Sequence, residues 1–257
     1  CVLTKRDAMR FAKAQNFLCT VRNHLHYLSG RPEERLTFNV QSELAQRMAY
    51  KDHAGARGVE RFMKHYFLIA KDVGNLTRII CAVLEAKHKK RHFRIPRLSF
   101  RRRNTNGFMV DGDRLTLESD DALKNQPIKL LTLFAEAQRL ELDIHPSALR
   151  LVTQSLGLIN KAMRMDVEAN RIFMEILTSK KDPELALKRM NEAGVLGRFI
   201  PDFGRVVAQM QYDMYHVYTV DEHTIRAIGI LSQIERGFLA DELPVESSVA
   251  CEVQLRC

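Results

Sequence analysis

The sequence has 257 residues, 46% hydrophobic and 28% charged, which predicts a soluble globular protein with one large domain or two ordinary ones. No uninterrupted run of about 18 apolar residues occurs, which argues against a membrane span. The formal net charge is +9, and the stretch from Lys87 to Arg103 supplies all of it, with nine Lys or Arg and no acid. The chain therefore carries one basic segment and is otherwise neutral.

The start of the sequence and its cysteines predict a cytoplasmic piece of a longer protein. The chain begins with Cys1 rather than Met, and no hydrophobic signal core follows. The five cysteines are scattered and odd in number. Cys19 and Cys81 are expected to be reduced core residues, and this usage favours a cytoplasmic location.

The first third is predicted to be helical. Apolar residues recur every three or four positions in three stretches: 4–29, 42–49, and from about Val59 to Leu84. Residues 36–40 are predicted to be a short extended piece or a buried connection. Gly74 lies inside the last helix, where glycine costs about 1 kcal/mol relative to alanine, and it suggests close packing or a bend.

The remainder is predicted to contain one β-hairpin followed by helices. The strands Phe108–Val110 and Arg114–Leu117 flank Asp111-Gly112-Asp113, a turn sequence. Helix signals then follow at several places: Pro127 at the start of 127–141, Pro146, 167–178, and Asp182-Pro183 with an end at Gly194. Residues 196–201 are predicted to form an apolar turn. The predicted fold is mainly α, with helical bundle regions and one small β-hairpin.

Two candidate sites have competing interpretations. Asp111 and Asp113 form an Asp-x-Asp pair that could hold divalent metal ions, but the intervening glycine favours a hairpin turn. The basic segment 87–103, with Phe93 and Phe100, could bind nucleic acid through phosphate contacts and stacking. Its position between two helical blocks instead favours a solvated linker.

The histidines offer few joint metal sites. His24 and His26 are two residues apart on a helix and face different directions. His65 lies on a polar helix face that indicates a surface or a domain interface. The sequence contains no nucleophile elbow, glycine-rich phosphate loop or His-Glu-x-x-His motif.

The stretch 211–224, QYDMYHVYTVDEHT, is the densest in chemistry. It holds three of the six tyrosines, two of the nine histidines and three carboxylates. The apolar positions from Ile225 onward indicate a helix, with Thr219 or Asp221 as its cap. His223 would then lie in the first turn, although a single histidine there is more often structural than a metal ligand.

Four stretches give this sequence a family resemblance: RNHLHYLSGR at 22–31, VERFMKHYF at 59–67, RMNEAGVLGRFIP at 189–201, and the stretch through His223. Together they resemble the bifunctional PII uridylyltransferase/uridylyl-removing enzymes, from about residue 5 to Pro244. That family transfers UMP from UTP to the signalling protein PII, and hydrolyses the UMP again when glutamine signals nitrogen sufficiency. The resemblance implies a cytoplasmic enzyme that needs Mg²⁺ or Mn²⁺.

The resemblance also implies a domain order. Residues 1–90 would follow a missing nucleotidyltransferase core, 91–120 would be a basic linker and hairpin, and 121–210 a helical nucleotidyltransferase-associated region. Residues 211–257 would begin an HD-type phosphohydrolase domain. His223 matches its first metal-binding histidine, and the remaining ligands would lie downstream.

The resemblance carries further expectations for this chain. The 257 residues alone are expected to bind no metal and to catalyse neither reaction, so no catalytic residue is assigned. Residues 245–257 depart from the family pattern and are expected to be a divergent, poorly ordered tail. The alternative function is a non-catalytic helical module that binds nucleic acid through 87–103. A tRNA-type nucleotidyltransferase tail fits the helices but leaves the stretch 211–224 unexplained.

Overall fold

The structure is a computed structural model that describes residues 5–89, 104–105, 107–111, 113–210 and 218–252. The chain divides into two compact units. Unit 1 comprises Cys1–Arg91 and Val206–Asp221, and unit 2 comprises His92–Arg205 and Glu222–Cys257. Most of the described residues are helical, which confirms the predicted mainly α fold. Across these described ranges, no helix combines the length and the hydrophobicity that crossing a bilayer requires.

The described part of unit 1 is built around three helices, α1 (Lys5–Ser29), α2 (Phe38–Arg47) and α3 (Gly58–Lys89). Helices α1 and α3 confirm the sequence periodicity. Helix α2 begins at Phe38, so the expectation of an extended piece over 36–40 is wrong for its second half. Alternating apolar residues imitated a strand there, but the burial of Leu44 and Ala45 against α3 favours a helix.

Two smaller expectations for unit 1 are corrected. Gly74 is exposed within a continuous helix, and a Cβ added there would meet no atom within 4 Å, so close packing does not explain it. Cys19 and Cys81 are free thiols but are exposed. Each lies on the helix beside the apolar stripe, and one residue step turns a helix by about 100° away from the core.

Among the described residues of unit 2, four short strands form one sheet: β1 (Asn104–Thr105), β2 (Phe108–Asp111), β3 (Arg114–Leu117) and β4 (Asp143–Ile144). The β2–β3 pair is the predicted hairpin. Strand β1 extends it, and β4 joins β3 in parallel. These two-residue strands are too short to give a periodic signal, so the sequence predicted only the hairpin.

The later helices follow in chain order: α4 (Ala122–Asn125), α5 (Lys129–Leu140), α6 (Pro146–Gln154), α7 (Lys161–Met165), α8 (Val167–Leu177), α9 (Pro183–Ala193), α10 (Val195–Phe199), α11 (Pro201–Val206), α12 (Val220–Glu235) and α13 (Pro244–Glu252). Helices α6, α8 and α9 begin where the sequence predicted. Pro127 does not open a helix, because a turn separates α4 from α5. The stretch 196–201 belongs mainly to two short helices rather than to a turn.

A continuous core joins the sheet and the helices of unit 2. Phe108 and Leu115 of the sheet are fully buried with Leu130 and Phe134 of α5. Lys129 secures this junction, because its buried ammonium lies 2.6 Å from Glu118 Oε1 and donates to the carbonyl of Gly107. Ile225 of α12 is buried in the same core.

Candidate functional site

Helix α12 carries His223, the predicted metal ligand. The helix begins at Val220, so Thr219 precedes it and His223 lies in its first turn, as predicted. The side chains of His223 and its two neighbours are exposed, whereas Ile225 is buried in the unit 2 core. The apolar face of the helix is thus used for packing, and the imidazole is available for a ligand.

The start of α12 is held by a buried carboxylate. Asp221 is 3% exposed, and its Oδ1 accepts a hydrogen bond from the backbone N–H of Ala208 at 3.0 Å. The N–H of Val220 donates to the carbonyl of Gln209 at 2.8 Å. Asp221 therefore fixes the helix start to the preceding backbone, and Thr219 occupies the cap position.

The residues around His223 do not complete a metal centre within the part of the chain that the structure describes. Among all the described residues, no three or more His, Cys, Asp or Glu side chains lie close enough together to hold a metal ion. Tyr212, Asp213, Tyr215 and His216 of the predicted site lie outside the described residues. A single imidazole does not bind a catalytic metal, which needs about three protein ligands. His223 therefore stays a predicted ligand.

His65 has closer partners than its sequence position suggested. Its Nδ1 contacts the hydroxyl of Tyr50, and its ring centroid lies 4.4 Å from that of Phe17. Burial raises the pKa of Tyr50 above its ordinary value. Tyr50 is 15 positions from His65, and no sequence pattern joins them. The pair belongs to the aromatic packing of unit 1.

His24 and His26 stay apart, as the helical spacing predicted. His24 contacts the ring of Tyr27, with the centroids 6.5 Å apart. The Nε2 atom of His26 lies 3.5 Å from Glu34 Oε1. These separate partners do not form a joint metal site.

Comparison with known families assigns the chain. Residues 1–81 match the family model described as GlnD PII-uridylyltransferase. Residues 108–199 match the model described as uridylyltransferase GlnD third domain. The chain belongs to the GlnD uridylyltransferase family. His223 lies beyond both matched ranges.

Two relatives of the GlnD family extend the match across nearly the whole chain. A bifunctional uridylyltransferase/uridylyl-removing enzyme of Azospirillum brasilense is 61% identical over 258 aligned residues, covering 99% of this chain and 28% of that protein. An enzyme of the same name from Rhodospirillum rubrum is 56% identical over 256 residues, covering 99% of this chain and 27% of that protein. The chain thus spans little more than a quarter of these relatives. No solved structure matches it.

The predicted tail of this GlnD-family chain is better organised than expected. Residues Pro244–Glu252 form α13, and Ser247 is buried. The match to both relatives leaves out only a few residues, so it reaches into 245–257. The expectation of poor order is therefore wrong for 245–252, whose helix the unfamiliar sequence concealed. Residues 253–257 lie outside the described residues.

The two other candidate sites from the sequence are the Asp111 and Asp113 pair and the basic segment 87–103. Asp111 ends β2 opposite Arg114, and both Asp111 and Asp113 are exposed at the hairpin turn, as the turn interpretation predicted. Most of the basic segment, 90–103, lies outside the described residues. Nucleic-acid binding by that segment therefore stays a prediction.

Proposed function

We propose that this chain is part of an enzyme that transfers UMP from UTP to the signalling protein PII and hydrolyses UMP from the modified PII in response to glutamine. The observation that carries this proposal is the 61% identity to a bifunctional uridylyltransferase/uridylyl-removing enzyme across 99% of the chain. The two family models support it over two separate stretches, residues 1–81 and 108–199. The proposed setting is the cytoplasm.

His223 is proposed as one ligand of the Mg²⁺ or Mn²⁺ that the uridylyl-removing reaction requires. Its exposed position in the first turn of α12 supports this role, because the imidazole is free of the core. The other ligands would come from sequence beyond this chain.

The 257-residue chain is proposed to be inactive alone. The test is to incubate it with PII and radiolabelled UTP, and separately with uridylylated PII, in Mg²⁺ or Mn²⁺. We expect neither transfer nor removal above the buffer control. Either activity, if it co-purified with the chain and was absent from a mock purification, would refute this part of the proposal.

A chimera tests the function itself. These 257 residues would replace the matching segment of the Azospirillum brasilense enzyme, whose 61% identity favours correct folding. We expect the chimera to transfer and remove UMP. Loss of both activities in a folded chimera would count against the proposed function.

The role of His223 is tested in the same chimera. His223→Ala is expected to abolish UMP removal while UMP transfer continues, because only the metal site is damaged. His53→Ala is the matched control, since His53 is exposed in a loop of unit 1. Unchanged removal by the His223 variant, or equal loss in both variants, would exclude the proposed ligand role.

A further inference from the structure

Unit 2 contains a cavity of about 780 Å³ whose lining does not include His223. It lies between the end of α5, the first half of α9, the second half of α12 and residues 236–239. We name it the α9–α12 cavity. Its volume is within the range of about 300–1,000 Å³ that small-molecule sites occupy.

A buried hydroxyl without a partner lines this cavity. Ser232 of α12 is 7% exposed, and its Oγ makes no hydrogen bond to any described residue. A buried hydroxyl normally has a hydrogen-bond partner, because leaving it unpaired is costly. The unsatisfied Oγ of Ser232 therefore marks a position where a ligand atom would be stabilised.

The charged side chains of the cavity favour an anion. Five cations and three acids line it: Lys180, Lys181, Lys188, Arg189 and Arg236, with Glu141, Asp182 and Glu184. Lys181 is paired with Glu141, and Arg189 with Asp143. Lys180 and Lys188 form no ion pair with the described residues, so their ammonium groups are available for an anionic ligand.

An aromatic ring stands at the same cavity. Phe238 is 66% exposed, and the guanidinium of Arg236 lies over its ring, 4.3 Å from the centroid. An exposed aromatic ring can stack on a nucleobase, and a neighbouring arginine strengthens such stacking. The cavity thus combines an aromatic surface, a hydroxyl without a partner and available lysines.

We propose that the α9–α12 cavity binds a nucleoside phosphate. The base would stack on Phe238, the phosphate would lie between Lys180 and Lys188, and Ser232 would hydrogen-bond the ligand. The lining has a net positive charge, because its five cations outnumber its three acids, including Glu184 beside Gly229. The site uses neither His223 nor any uridylyl chemistry, so its failure would leave the proposed function untouched.

The first experiment is calorimetric titration of the 257-residue chain with UMP, AMP, uridine and inorganic phosphate. We expect the two nucleotides to bind, and uridine and phosphate each to bind at least about tenfold more weakly, because each lacks one of the two contacts. Nucleotide affinity should fall as salt is raised. No nucleotide binding, or phosphate binding as tightly as UMP, would overturn the proposal.

Paired variants locate the binding. Phe238→Ala and Lys188→Ala are each expected to weaken UMP binding about tenfold, the size of one lost stacking or charged contact. The matched controls are two exposed residues of α7: Met165→Ala for the Phe238 variant and Lys161→Ala for the Lys188 variant. UMP binding that survives both cavity variants unchanged would show that the ligand lies elsewhere.

The serine pair separates binding from stability. Ser247 of α13 is also buried, and its Oγ likewise has no hydrogen-bond partner among the described residues, but it does not line the cavity. Ser232→Ala and Ser247→Ala are both expected to raise the Tm of the free chain by removing an unpaired hydroxyl. Only Ser232→Ala should weaken UMP binding. Equal UMP affinity in the two variants would refute the role of Ser232.

Discussion

The two units of this chain achieve stability in different ways. Unit 1 has a small core centred on Phe62, whose ring lies 5.4 Å from that of Tyr50 and 6.5 Å from that of Phe17. Unit 2 has an extended core that joins a sheet to many short helices, and side chains cap several of those helices. Stability in unit 1 is therefore concentrated in a few large rings. In unit 2 it is distributed over packing contacts and helix caps.

The largest expected effect is at the centre of unit 1. Phe62 is fully buried among aromatic rings, so Phe62→Ala should lower the free energy of unfolding by about 3–5 kcal/mol. Phe11→Ala is the control, because Phe11 is 36% exposed. Urea denaturation of the two variants measures the difference. If Phe62→Ala lowered the free energy of unfolding no more than Phe11→Ala, the stability of unit 1 would not be concentrated in its aromatic core.

Two helical glycines make the contrast between the units more specific. In unit 2, a Cβ added to Gly229 would overlap Glu184 Oε2 and would lie 2.9 Å from Glu184 Cβ. Gly229→Ala should therefore destabilise the protein by about 1–3 kcal/mol through overpacking. In unit 1, Gly74→Ala meets open space and should stabilise by up to about 1 kcal/mol. Thermal unfolding of both variants tests the opposite signs, and stabilisation by Gly229→Ala would show that α9 and α12 pack less closely.

Helix caps give a smaller effect. In unit 2, Asp166 Oδ1 accepts a hydrogen bond from the N–H of Ala169 at 2.8 Å, so Asp166→Ala should cost about 1 kcal/mol. In unit 1, Thr37 occupies the cap position of α2 without a side-chain cap hydrogen bond. Thr37→Ala should therefore change stability little. Equal losses in urea denaturation would contradict this difference between the units.

The smallest expected effect is a dependence of folding stability on pH. His145 of unit 2 accepts a hydrogen bond at Nδ1 from the N–H of Ser147, and burial lowers its pKa below the ordinary 6.5. Asp111 opposes this shift and Arg114 adds to it. The unfolded chain therefore binds the proton first. The stabilisation is complete above pH 6.5 and is lost as pH falls through the folded pKa.

In unit 1, the carboxylate of Glu34 contributes at a lower pH. Hydrogen bonding to Arg22 lowers the pKa of Glu34, so the stabilisation from this ion pair begins to disappear as the pH falls below the ordinary value of 4.5.

The His145 prediction is tested by thermal unfolding. The Tm of the protein should fall between pH 7 and pH 5, and His145→Asn should reduce that fall, because asparagine caps a helix without titrating in this range. An identical pH profile in the variant would remove His145 from the explanation.

Much of the fold was predictable because its signals are local. The apolar stripes of α1 and α3 repeat over many turns, and Asp182-Pro183 and Gly194 mark the two ends of α9. The hairpin likewise followed from its turn sequence. Strands β1 and β4 were missed, because their two-residue pairings depend on partners elsewhere in the chain. The start of α2 was misplaced because packing against α3 overrides its alternating pattern.

The candidate sites divide in the same way. The position of His223 in the first turn of α12 followed from the apolar run after it, while its ligand role rests on family resemblance. The partners of His65 and the α9–α12 cavity had no sequence signal. Lys188, Ser232 and Phe238 are ordinary residues until folding brings their segments of the chain together.

The sequence by itself determined the family, the mainly helical fold and the ends of the strongly periodic helices, because these depend on long motifs and on neighbours along the chain. The tertiary structure decided which residues meet across elements: Asp221 with the backbone of Ala208, Lys129 with Glu118, and the residues that line the α9–α12 cavity. These contacts depend on the burial of apolar surface between segments that are distant in sequence, and no local sequence pattern encodes them.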